Sequence, residues 1–158
     1  MNIIAEFVAN QDIVNLLIPN PDTTKNIVDQ LVGYTDKNNM WHNGVILPFL
    51  YVPEIVDKAT TFICLDTTIR ERNTAVIQDL YAYINIFTDK SLMKYEKDGY
   101  YGTRMDVLMT LINNIMVVPN KFGIGAFTPK EPKPYYPIQN YYGYTLTYVV
   151  PDFKWCRK

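Results

Sequence analysis

The residues best suited to catalysis are few, because 158 residues contain one histidine and two cysteines. A nucleophilic triad would have to use His42, which lies between Trp41 and Asn43 in a polar loop. No G-x-S-x-G signature is present to supply a nucleophile. We therefore expect His42 to be an exposed loop residue and the chain not to be an enzyme.

The thiols and carboxylates do not predict a metal site. Cys64 lies in an apolar segment, which predicts a buried thiol, and Cys156 lies in the terminal WCRK. Two distant thiols and one histidine do not have the spacing of a metal site or a disulfide framework. Four carboxylates are scattered along predicted strands and loops: Asp66, Glu71, Asp79 and Asp89. We expect neither a metal nor a cofactor.

Phosphate and nucleic-acid binding have little support. Residues 123–125 (GIG) lack the third glycine and the following helix of a dinucleotide-binding loop. Lys90, Lys94 and Lys97 form a basic run, but nearby acidic residues offset it and the net charge is −1. A protein whose affinity depends on phosphate contacts normally carries a basic excess.

Two elements have clear periodicity. Residues 78–87 alternate with a period of two, which predicts a half-buried antiparallel strand with Leu80, Ala82, Ile84 and Ile86 on its core face. Residues 103–118 have helical periodicity, with Thr103 as the N-cap and Pro119 ending the helix. The predicted apolar stripe of this helix is Met105, Leu108, Met109, Leu111, Ile112, Ile115 and Met116, with Arg104 on the polar side.

The remaining chain predicts a single α+β domain with a mostly antiparallel sheet. We expect a helix over residues 3–18 and a second over 23–32, capped by Asp22 and ended by Gly33. Residues 34–44 are predicted as a polar loop, and prolines make 45–56 an edge strand or an extended segment. Further strands are predicted at residues 59–69, 122–127 and 142–150, and the Pro/Tyr loop at 129–141 is predicted to be extended.

Aromatic residues mark the candidate interfaces in a chain that contains thirteen tyrosines and ten prolines. The second face of the strand at 78–87 carries three aromatic residues, so either another layer or another subunit must cover it. Residues 88–102, here called the arm, form a loop long enough to be functional. The predicted protein-interface residues are Tyr81, Tyr83 and Phe87 on the strand, Leu92, Met93, Tyr95, Tyr100 and Tyr101 on the arm, and Tyr135 and Tyr136 in the Pro/Tyr loop.

The sequence has no apolar run of membrane-spanning length, and its start lacks the pattern of a signal peptide, so we expect an intracellular origin without membrane partners. The pattern of elements resembles bacteriophage neck proteins of the tail terminator (tail-completion) type. Three segments carry the likeness: IIAEFVANQDIVNLLI as an opening helix, TTFICLDTTIRERNTAVIQDLYAYINIFTDK as a central hairpin, and GTRMDVLMTLINNIM as the helix that follows an arm. The closing FGIGAF and YYGYTLTYVVPDF segments fit the same order. Residues 22–58 look like an insertion relative to the compact pattern of these neck proteins, and the Pro/Tyr loop looks enlarged.

This resemblance implies a virion protein, assembled in the host cytoplasm, that forms a hexameric ring. Such a ring ends the tail tube and joins it to the head-side connector proteins, and DNA passes through its lumen without specific binding. Three alternatives stay open: a head-closure or connector protein of the same neck, a small ligand-binding or enzymatic α+β domain, and a monomeric adaptor that binds one host partner.

Overall fold

A computed structural model describes residues 3–51, 58–71, 78–96, 99 and 102–151, and it confirms the α+β fold class. The helices are α1 (Ile3–Ala9), α2 (Gln11–Leu17), α3 (Ile27–Val32) and α4 (Arg104–Met116). The short strands are β1 (Tyr34–Thr35), β2 (Trp41–His42), β3 (Ile46–Leu47), β6 (Thr128–Pro129) and β7 (Lys133–Tyr135). The long strands are β4 (Thr61–Glu71), β5 (Gln78–Asp89) and β8 (Tyr141–Val150).

The main sheet is built on the three long strands. Its order is β3-β4-β5-β8-β6, and β7 also pairs with β8. The pairs formed by β4, β5 and β8 are antiparallel, whereas β3 runs parallel to β4. The predicted hairpin of the two central strands is therefore confirmed. Its loop is predicted at residues 70–74, but Arg70 and Glu71 extend β4, and residues 72–74 lie outside the described residues.

The main core lies between one face of this sheet and the helices. The predicted core face of β5 is fully or nearly fully buried, and α4 packs over β5 and β8 while α2 packs over β4. The capping prediction for α4 is confirmed, because the Thr103 hydroxyl accepts from the Asp106 backbone and the Asp106 carboxylate accepts from the Thr103 backbone N–H. The helix ends at Met116, two residues before the predicted end.

The predicted N-terminal helix is two helices. Asn10 separates them, because its backbone is extended and its side chain accepts hydrogen bonds from the N–H groups of Asp12 and Ile13. The second predicted helix also begins later than expected, at Ile27. Asn26 is its cap, whereas the Asp22 side chain forms a local turn with Thr24.

The predicted strand at residues 122–127 is wrong. Gly123 and Gly125 have φ angles of 70° and 101°. Positive φ angles do not occur in a regular β-strand, so the segment forms a turn. The apolar residues of this segment anchor the turn to the domain, because the side chains of Phe122 and Phe127 are buried, with their ring centroids 6.0 Å apart. The Pro/Tyr loop is extended as predicted and supplies β7 at the sheet edge.

A second, smaller core covers one half of the other sheet face. Its buried residues are Leu47, Phe62, Cys64, Phe87 and Tyr141. Gly143 lies opposite Phe87 in the sheet, and a Cβ atom there would lie 1.8 Å from the backbone oxygen of Ile86. A glycine at this position therefore allows β8 to approach β5 beneath the second core.

Candidate protein-interaction surface

Tyrosine and arginine side chains form the other half of this second sheet face. Tyr81 and Tyr83 are two residues apart on β5, so they share a face, and their rings are nearly parallel with centroids 6.1 Å apart. The Arg70 guanidinium carbon lies 4.9 Å from the Tyr81 ring centroid and 5.9 Å from that of Tyr83. These distances are within the range of cation–π attraction, which holds the three side chains together.

Neighbouring strands complete this surface. In the sheet register, Asp66 is opposite Tyr83 and Thr68 is opposite Tyr81. We call Asp66, Thr68, Arg70, Tyr81 and Tyr83 the open face; Asp66 and Arg70 are exposed and the two tyrosines are half-buried. Tyrosine and arginine side chains are enriched in protein–protein contacts.

Phe87 does not belong to this surface, and its predicted place on an outward face is wrong. It is fully buried in the second core, where the ring of Phe62 lies 5.3 Å away and that of Tyr135 lies 5.6 Å away. Residues of its own chain therefore supply the layer that covers this part of the strand. The half-buried Tyr135 belongs to the same packing.

Tyr136 lies in a second group of tyrosines. Its side chain is 66% exposed, and its ring centroid lies 5.1 Å from that of Tyr142. The Tyr142 hydroxyl donates a hydrogen bond of 2.8 Å to the Tyr144 hydroxyl, and this bond together with burial raises the pKa of Tyr142. Sequence reasoning missed Tyr142 and Tyr144 as surface residues, although their period-two spacing at the start of β8 places them on one face.

The base of the arm is anchored to the domain. Met93 and Tyr95 are half-buried against the main core, and Leu92 is half-buried as well. The predicted loop begins later than expected, because residues 88 and 89 belong to β5 and Lys90–Leu92 form a 3-10 helix. Lys94 then forms an isolated bridge with Thr103, which brings the middle of the arm next to the start of α4. The predicted interface residues Tyr100 and Tyr101 lie outside the described residues.

Arg104 is the centre of this anchor, and its predicted place on the polar side of the helix is wrong. Its side chain is only 6% exposed. It donates hydrogen bonds to the backbone oxygens of Leu92 and Leu16, and its guanidinium carbon lies 5.3 Å from the Tyr95 ring centroid. Burial lowers the pKa of Arg104, but guanidinium remains charged in proteins.

His42 lies at the edge of a pocket of about 430 Å³ between the end of α2, α3 and the β1–β2 hairpin. Its ring stacks on Tyr34 with centroids 4.8 Å apart, and its Nε2 lies 3.2 Å from an Asp36 carboxylate oxygen. Hydrogen bonds from the Met40 backbone and from His42 lower the pKa of Asp36. His42 is exposed as predicted, and its contacts brace a hairpin where the sequence predicted a loop without strands.

Cys64 is buried as predicted, in the second core. Burial raises the pKa of its thiol to about 11, so the reactive thiolate is scarce at neutral pH. Cys156 lies outside the described residues. Within the part of the chain that the structure describes, no three histidine, cysteine or acidic side chains are grouped so that they could hold a metal ion.

A comparison with known protein families assigns this chain to a family. The model of the family described as YomW matches residues 10–150, which is most of the chain. The chain belongs to the YomW family. The YomW family is phage-derived, from a Bacillus prophage of the SPbeta type, and membership indicates a phage protein. No curated protein and no solved structure matches this YomW-family chain. None of its described helices has the length and apolar character to cross a membrane.

Proposed function

We propose that this chain is a structural protein of a tailed-phage neck, of the tail terminator type. The observation that carries the proposal is the open face, a tyrosine and arginine surface on a protein of a phage-derived family. Half-buried aromatic rings held beside a guanidinium provide contact area at a low entropic cost, because the side chains are already ordered.

The order of elements supports the same proposal. The central antiparallel hairpin, the arm, the helix across the sheet and the last strand follow one another as in the resemblance, whereas the opening helix is divided into two and residues 122–127 form a turn. Arg104 anchors the base of the arm, so the described residues at this base lie beside the start of α4. A rigid base reduces the ordering cost when a loop binds a partner.

The proposed partners are other copies of this chain in a hexameric ring, the tail tube protein and the head-side connector proteins. Assembly requires association only, so we propose no enzymatic step, cofactor or membrane partner. The site of action is the virion, after assembly in the host cytoplasm, with DNA passing through the lumen without specific binding.

Two other functions have one supporting observation each. Residues 22–58 supply α3, the β1–β2 hairpin and β3 beyond the compact pattern, which favours a head-closure protein of the same neck. The pocket beside His42 has a volume in the range of small-ligand sites, which favours a ligand-binding domain. Thermal shift against a small-molecule library tests the latter, since a neck protein needs no ligand.

Complementation tests the role of the open face. A phage lacking the gene is supplied with the wild-type protein or with a variant carrying Tyr81→Ser and Tyr83→Ser. We expect the variant to fold and to yield far fewer infectious particles, because its contact surface is lost. The control is Phe49→Ser, which changes an exposed apolar residue that does not belong to the open face. Equal particle yields from the two variants would contradict the proposal.

A further inference from the structure

One edge of the main sheet is only partly paired by the residues that the structure describes. Along its whole length β4 pairs with β5 on one side, whereas on the other side β3 pairs only with Ile63 and Cys64. Among the described residues, no strand pairs with residues 65–71 on that side. A row of backbone donors and acceptors at a sheet edge is a template for another strand.

The direction of the backbone groups follows from one hydrogen bond. The N–H of Ile63 donates to the Val45 oxygen at 2.8 Å, on the side away from β5. Because backbone direction alternates along a strand, the N–H and C=O groups of Leu65, Thr67 and Ile69 also point away from β5. The Thr67 N–H donates to the Asp66 carboxylate at 2.8 Å, where the carbonyl of a neighbouring strand would otherwise accept it.

The opposite edge of the sheet is closed to such pairing. The Lys130 N–H donates to the Thr147 oxygen, which sets the alternation of the segment that pairs with β8. Pro129 and Pro134 consequently occupy outward positions, where they offer no N–H. Proline and lysine are typical protection of an edge strand, so two copies do not join through opposite edges.

Residues 65–71 of one copy are complementary to the same residues of a second copy. When this stretch pairs antiparallel with its copy over its full length, the two-fold axis passes through Thr68. Thr67 then faces Ile69 of the second copy, so that outward-pointing backbone groups meet each other. Asp66 faces Arg70 of the second copy in two equivalent pairs on the open-face side, where directly opposite charges attract.

We propose that the free protein is a two-fold dimer in which residues 65–71 of two copies pair antiparallel about Thr68. This contact goes beyond the proposed neck function. A two-fold contact uses the same patch on both copies and cannot by itself generate a ring larger than two, so ring closure on the tail uses other surfaces. Pairing also covers the open edge before assembly, when it would otherwise invite aggregation.

Charge exchange tests the register. Sedimentation equilibrium of the wild-type chain should give a mass that rises with concentration towards twice 18.4 kDa. Asp66→Arg places arginine opposite arginine, and Arg70→Asp places aspartate opposite aspartate, so each variant alone should weaken dimerisation about tenfold or more. An equimolar mixture of the two variants should dimerise again, because both pairs become Arg–Asp.

Two controls accompany the charge exchange. Lys133→Glu changes a charge at the closed edge and should leave the dimer mass unchanged. Circular dichroism confirms that each variant is folded. A wild-type protein that stays monomeric, single variants that dimerise like wild type, a mixture that does not recover, or a larger oligomer indifferent to these charges would each overturn the proposal. Phage assembly is not involved in these measurements, so their failure is distinct from failure of the neck proposal.

Discussion

Arg104 connects three parts of the molecule at the level of a single side chain. Its guanidinium binds backbone oxygens from α2 and from the arm and lies against the Tyr95 ring. We predict that Arg104→Met lowers the free energy of unfolding by about 2–4 kcal/mol, because two carbonyls lose charged donors in a buried place. Urea denaturation monitored by circular dichroism measures the difference.

The matched control for Arg104 is Arg70→Met, which removes an exposed guanidinium that also lies near tyrosine rings. An exposed cation–π contact contributes about 0.5–1 kcal/mol, so this variant should be destabilised much less. Equal losses in the two variants would show that Arg104 does not organise the arm base.

Cys64 gives a prediction about pH. Burial raises the pKa of its thiol from 9.0 to about 11, so the folded state favours the protonated form. This contribution to stability is complete below pH 9 and is lost as the pH rises towards 11. Urea denaturation between these pH values should show a steeper fall for the wild type than for Cys64→Ala. The same slope in both proteins would contradict a buried, protonated thiol.

The two incorrect residue predictions have a common physical cause. Phe87 and Arg104 were placed by the periodicity of their own elements, which describes only one strand or one helix. Tertiary contacts bury both side chains: the second core covers Phe87, and the backbone oxygens of Leu92 and Leu16 accept hydrogen bonds from Arg104. Partners that are distant in sequence leave no periodic signal at the residue they cover.

At the level of elements, the capping box of α4 fixes where the arm ends. We predict that Thr103→Ala lowers the free energy of unfolding by about 1 kcal/mol, since the hydroxyl that accepts the Asp106 N–H is lost. Thr110→Ala is the matched control, because Thr110 is exposed in the middle of the same helix and should change stability by less than about 0.5 kcal/mol. Thermal or urea unfolding distinguishes them, and equal effects would rule out the cap as the source.

Elements with uninterrupted periodicity were predictable from sequence, and elements that depend on turn chemistry were not. In β5, β8 and α4 the apolar residues recur over three or more turns or alternations, so the periodic pattern stays recognisable even where single residues depart from it. The segment at 122–127 has the same apolar alternation, but its glycines adopt positive φ angles and form a turn. Asn10 likewise divides a helical pattern by capping a new helix.

The candidate surface was predictable only in part. Tyr81 and Tyr83 were identifiable because they alternate with core residues on a long strand. Arg70 was not, since its position over both rings depends on the register between β4 and β5. The open edge at residues 65–71 also required the structure, because the sequence does not show that β3 is only two residues long.

At the level of the whole molecule, the two proposed contacts use partly overlapping surfaces at different stages. In the first contact we propose, the β4 edge joins two copies of the free protein; in the second, the open face and the arm contact neighbours on the tail. Asp66 and Arg70 belong to both surfaces, so opening the dimer releases charged groups where the ring contact forms. In the proposed function, the protein joins head and tail in the virion.

Electron microscopy of particles from a phage that lacks this gene tests that claim most directly. Negative staining of the lysate should show heads without tails and separate tails of irregular length, and expression of the wild-type gene in trans should restore joined particles. Joined particles with tails of normal length in the absence of the protein would contradict the proposed neck function.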